Sequence, residues 1–194
     1  MRGQIGGSDA VSVQGGDATL TVAAGSATQD TAIAVAREAV DSFLPTTSAL
    51  IPVAEYNIDF SGQTLLSPAQ LSVAAGSAKP GDNILLAQIQ RFAGVPYLVV
   101  VSLAQVSGSS LVTQAIPGLP GITQGGDFVF YKVASPTGFV SGTVSASSGG
   151  VVALVQTDGL PFVSFSSRSG SYVIPALAGL VNLSASVQNT ALSG

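Results

Sequence analysis

A chain of 194 residues with six basic and ten acidic side chains, net charge −4, and neither histidine nor cysteine loses much chemistry before any pattern is read. Disulfides, cysteine nucleophiles, Ser/His/Asp triads and histidine-zinc sites are excluded by residue type, and no basic patch exists to bind nucleic acid. Charged residues are 8% of the chain, against about 25% in an ordinary globular domain, so Ser, Thr, Gly and Ala must cover the solvent side. That suits a secreted or surface-attached β-protein, and equally a subunit covered by its neighbours.

Mean hydropathy is +0.53, yet Pro, Gly and polar residues cut every apolar run short of the ~18 residues a membrane helix requires. No transmembrane segment is expected. The opening MRGQIGGSDA carries a positive charge without an apolar core, unlike a signal peptide, so an exported protein would show here as a processed form or an excerpt. Residues 1–14 read as an N-terminal extension. Within it Asp9, Ala10, Val11, Ser12, Val13 and Gln14 (DAVSVQ) alternate and precede the repeated unit, which makes them a candidate strand for donation to a neighbour.

The phrase LTVAAGSA at Leu20 to Ala27 returns as LSVAAGSA at Leu71 to Ala78. Leu20 and Val22 alternate with Thr19 and Thr21, as Leu71 and Val73 do with Gln70 and Ser72, so each copy predicts a strand running into a turn at Gly25 or Gly76. The match continues at the same offset of 51 residues, with Ile33 to Ala36 answering Ile84 to Ala87. Two copies are too few for a solenoid, which leads to an internally duplicated β-sandwich. In DTAIAVAREAVDSFLP, Asp30 would cap a helix and Pro45 would end one. The repeat favours strand at Ile33 to Ala36, with a helical turn near Glu38 to Phe43.

Further strands are expected at Ile51 to Phe60, Asn83 to Phe92, Tyr97 to Val106, Leu111 to Ala115 and Phe128 to Val133, separated by turns at Ser61 to Thr64, Lys79 to Asn83 and Ala93 to Pro96. A module boundary at Ser135 to Gly138 (SPTG) follows FVFYKV, giving a first module at residues 15–134 and a second at 135–194. The second is read as strands at Phe139 to Ala146, Val151 to Thr157, Phe162 to Ser166, Ser171 to Ile174 and Leu180 to Val187. The fold class expected is therefore all-β, with two consecutive Ig-like β-sandwich modules.

From Gly15 to Val133, GGDATLTVAAGSATQDTAIAV followed by GQTLLSPAQL at Gly62 to Leu71 resembles the ZU-five domain, a family of β-sandwiches in cytoskeletal adaptors, receptors and bacterial surface proteins. Members often have Ile-Pro before the Gly-Ala of the first turn, where this chain has Val22, Ala23 and Ala24 before Gly25. Some relatives cleave themselves at His-Phe-Ser. Here Phe60-Ser61 follows Asp59 and Phe165-Ser166 follows Ser164, so that activity is not carried over. From Gly138 to Val187 the chain is similar to the carboxypeptidase-regulatory-like domain, with Ala153, Val155, Gly170, Tyr172 and Gly179 in the family's positions. Relatives usually place Asp before Gly-x-Tyr, where Ser167, Arg168 and Ser169 stand. The resemblance implies a sandwich of the kind strung together in bacterial surface proteins, without peptidase activity, while the missing Asp removes the usual basis for a cation site at that turn.

Of the acids, Asp17 with Asp30, Glu38 with Asp41, and Asp127 with Asp158 are the candidate carboxylate pairs, and turns or caps are their ordinary use. Calcium takes oxygen ligands from carboxylates and turn carbonyls, and Gly-Gly-Asp occurs twice beside strands, so Asp17 and Asp127 are its candidate ligands; no other cofactor is expected. Lys79 and Lys132 are the only lysines, Lys79 expected exposed in a turn and Lys132 on a strand. No tryptophan offers a sugar platform, so carbohydrate binding is unsupported. The expectation is a non-enzymatic extracellular or cell-surface module, structural or adhesive, whose partners are other protein modules. The alternative is a filament or sheath subunit that polymerises with its own copies by strand donation.

Overall fold

The computed structural model describes residues 2–5, 9–92, 94–147 and 149–187, and among them the secondary structure is strand with no helix. The first ten strands are β1 (Arg2–Ile5), β2 (Val11–Gly15), β3 (Ala18–Val22), β4 (Thr31–Glu38), β5 (Leu50–Asp59), β6 (Gln70–Ala74), β7 (Asn83–Phe92), β8 (Val95–Ser107), β9 (Ser110–Gln114) and β10 (Gly126–Val133). They pair in the order β1-β4-β5-β10-β7-β8-β9-β6-β3-β2, every ladder antiparallel.

This sheet curls until its ends meet, with β2 lying against β1 and β4, so the wall is a nearly closed barrel. Closure depends on Gly15: a Cβ there would sit 1.8 Å from the carbonyl oxygen of Val35, an approach open only to glycine. Strand alternation sends one set of side chains inward, where Leu20, Val35, Tyr56, Leu71, Leu86 and Phe130 are buried in one core.

The two copies of the repeat are neighbours in this wall. β3 and β6 run antiparallel with the equivalent residues Leu20 and Leu71 directly opposite and Ala18 opposite Val73, so the two copies are related by a local two-fold axis through that leucine pair. Gly25 and Gly76 follow with φ of 72° and 55°, the left-handed region the turn needs. Downstream, Ile33 and Val35 of β4 and Ile84 and Leu86 of β7 all enter the same core. The symmetry stops there, because β4 lies between β1 and β5 while β7 lies between β10 and β8.

The remaining strands are β11 (Thr137–Thr143), β12 (Ser145–Ala146), β13 (Gly149–Gly150), β14 (Leu154–Thr157), β15 (Phe162–Phe165), β16 (Ser171–Leu177) and β17 (Leu183–Ser186). They are not clearly a second, separate sandwich. The short β9 pairs only with Leu103 to Ser107 of the long β8, leaving the first half of that edge open, and β15 fills it in parallel, Phe162 beside Leu98 and Val163 beside Val99. β14 and β17 continue this branch, so thirteen strands form one sheet, and the β11–β16 ribbon packs against it through β14 and β15. A second core on the outer face of the barrel joins Leu85, Val100 and Tyr131 to Phe162.

The helical turn expected near Glu38 to Phe43 is absent. β4 pairs through Glu38, with Arg37 opposite Tyr56 and Glu38 opposite Glu55, and the chain then makes one turn in which Leu44 N–H donates to the Asp41 carbonyl at 3.2 Å. Ladder pairing outweighs the helix propensity of Ala-Arg-Glu-Ala.

Candidate functional site

Asp17 sits in the turn between β2 and β3. Its carboxylate accepts from the Arg37 guanidinium, an ion pair, and from the Tyr56 hydroxyl at 3.0 Å. It thus pins the hairpin to β4 and β5, and burial together with the Asp17 carboxylate pushes the Tyr56 hydroxyl's pKa up. Asp127, at the start of β10, accepts from Asn57 Nδ2 at 2.7 Å. Tyr56 and Asn57 are adjacent on β5 and leave opposite faces of the strand, so the two calcium candidates serve different sides of the wall. Among the described residues, no group of three or more acidic side chains suits a metal ion.

The pairings read from sequence are redistributed. Asp158 accepts from Asn182 at 3.0 Å, and Asp30 is exposed. Glu38 and Asp41 do converge, but on a residue the sequence reading passed over: Glu55, only 2% exposed. Its carboxylate accepts the Asp41 N–H at 2.9 Å, and Glu38 stands directly across the ladder. Burial raises the Glu55 pKa; the Asp41 amide lowers it, while the charges of Asp41, Asp127 and Glu38 raise it further. On the same face of β10, the Tyr131 hydroxyl is buried without a hydrogen-bond partner among the described residues, its pKa pushed up by burial and by Glu55. The available signal was a lone acid inside the otherwise apolar run LIPVAEY.

Lys132 lies on β10, and its ammonium donates to Asp82 at 2.7 Å. Asp82 also accepts the Lys79 N–H at 2.8 Å. The Lys132 hydrogen bond, then the Lys79 amide, hold the Asp82 carboxyl below the usual range. Lys79 is exposed in its turn.

The donor segment occupies the chain's own sheet. Val11 to Gly15 pair with Val22 to Ala18, and Val13 is buried; Asp9 and Ala10 precede the strand and are exposed. At the seam between barrel and C-terminal branch lies a cleft of about 680 Å³ lined by Phe92, Val99, Leu119, Phe165 and Tyr172, with no charged side chain in its wall. Phe92 packs on Phe165 with ring centroids 4.6 Å apart and on Tyr97 at 5.8 Å. A second opening of about 420 Å³ shares Phe92, Val152 and Phe165. A polar recess of about 560 Å³ lies beside Asn57, Asp59, Gln63 and Gln124. No family model, curated protein or solved structure matches this chain.

Proposed function

We propose that this chain is a non-catalytic module pair of an extracellular bacterial protein, serving as a spacer, stalk or adhesive element. The joint carries the reading. The C-terminal strands extend the barrel's own sheet through β15 and β8 and bury Phe162 against Tyr131, ring centroids 5.5 Å apart. A spacer that passes force along its length needs neighbouring parts that yield together, and a shared sheet with a shared core supplies that. In this reading the barrel wall is one sandwich-like module, the β11–β16 ribbon over β14, β15 and β17 is the other, and they have one sheet in common. The resemblances to two families of surface-protein modules support it, as does the low share of charged residues, 8% of the chain.

Stretching a single chain held between marker domains tests the mechanical part: one cooperative unfolding step is expected, and two independent steps would count against it. Antibody labelling of producing cells tests the location. Signal on intact cells is expected, whereas signal only after lysis would sink the extracellular assignment.

A second reading, a filament or sheath subunit, is favoured by β17. Among the described residues it pairs only with β14, all four of its residues are exposed, and the stretch from Leu183 to Val187 holds no charge or proline, the devices that usually guard an edge. Here the partner is a second copy. Donation of Asp9 to Gln14 would require β2 to leave β3, so the β17 edge, unpaired on one side among the described residues, is the simpler contact. Light scattering and negative-stain microscopy over a concentration series, with Ala185→Lys alongside, decide the matter: polymers that the substitution disperses support it, and monomers throughout refute it.

A further inference from the structure

The connection from β4 to β5 folds over the outer face of the barrel. Leu44 is buried there in the second core with Leu85, Val129 and Tyr131, and the ring of Phe43 lies under the Arg91 guanidinium at 5.4 Å. Its fastening near β4 is the Glu55 carboxylate, which accepts the Asp41 N–H. The groups around Glu55 are almost all acidic: Glu38 from β4, Asp41 from the connection, and Asp127 and the hydroxyl of Tyr131 from β10. Arg91 of β7 is engaged with Phe43, and neither ion pair among the described residues includes Glu55.

A carboxylate at 2% exposure with a like charge directly opposite is costly to ionise. The Asp41 amide bonds an ionised carboxyl more strongly than a neutral one, but burial, the largest influence on Glu55, outweighs that gain. A neutral acid keeps a weaker bond to the amide through its carbonyl oxygen and avoids the repulsion. We propose that Glu55 is a protonation-controlled latch: neutral, it holds the Asp41 amide and keeps residues 39–46 closed over the second core; ionised, it moves toward water and lets that segment open. The proton exchanges with solvent, and no partner is needed. The ordinary carboxyl value is 4.5 and the folded one is raised. The latch therefore adds stability that is whole below 4.5 and is lost as pH climbs through the folded value.

Glu38 and Glu55 are the only glutamates in the chain. Carbon-13 labelling of glutamate carboxyls thus yields two resonances, and Glu38→Gln identifies them. The expected result is a Glu55 midpoint above 4.5 that moves down in Glu38→Gln, with exchange protection of the Asp41 amide, corrected for the intrinsic rate, falling over the same pH interval. In Glu55→Gln that protection should no longer vary with pH. A Glu55 midpoint at or below the ordinary value, or Asp41 protection that ignores it, overturns the proposal. Should Glu55→Gln fail to fold, the wild-type titration decides alone.

Discussion

Leu20 and Leu71 face each other across the β3–β6 ladder, each wholly buried, although they are equivalent residues of a repeated phrase. The repetition thus builds a self-complementary strand pair in the barrel wall. Leu20→Ala and Leu71→Ala should each cost about 2–5 kcal/mol in urea unfolding, the range for emptying a packed core position. The double variant should cost less than the two combined, because each change already removes the other's partner. Strict additivity would mean that the two side chains do not share a packing site.

Gly15 lets the barrel close. In Gly15→Ala the new methyl must displace the Val35 carbonyl, 1.8 Å away, so β2 should separate from β4 and amide exchange in β2 should accelerate. Gly138→Ala is the control: a Cβ there meets nothing within 4 Å, and loss of the glycine's entropy makes a neutral or slightly stabilising change the expected one. Equal behaviour of the two variants would show that the close approach is not what holds the ends together.

Phe162 is the anchor of the joint, fully buried and edge-on to Tyr131 at 5.5 Å. Phe162→Ala should lower stability by about 3–5 kcal/mol and expose the stretch near Ser135 to Gly138 to proteases, releasing the C-terminal part. Cleavage no faster than in the parent chain would place the weight of the joint on the β11–β16 ribbon.

How much of this was legible beforehand depended on the range of the interaction. Strand-forming residues between the turns at Lys79 to Asn83 and Ala93 to Pro96 placed β7 at the residues expected, Asn83 to Phe92, because composition and turn chemistry are local. The partner of a strand is not. Nothing in FVSF announces that β15 will lie parallel to β8, since that follows from β9 being too short to cover its neighbour. Glu55 was missed for a related reason: a buried acid and an exposed one look alike until the ladder sets Glu38 opposite it. Asp17 was noticed for its Gly-Gly-Asp turn, and its partners Arg37 and Tyr56 come from strands that only the curled sheet brings near.

The acid limb of stability should come from the other side of β10. Asp82 is held below its ordinary value of 3.8 by Lys132 and the Lys79 amide, so the folded state releases this proton more readily than the unfolded chain. Its contribution is present above 3.8 and is lost as pH falls through the lower folded value, opposite in sign to that of Glu55. Thermal unfolding across pH should therefore pass through a maximum. Lys132→Met should flatten the acid side and leave the upper side, set by Glu55, unchanged. The two ionisations sit on different elements, Asp82 in the turn before β7 and Glu55 on β5, with separate partners, and should not couple. An acid limb as steep in Lys132→Met as in the parent would mean that the ion pair, partly open to solvent, is screened too well to matter.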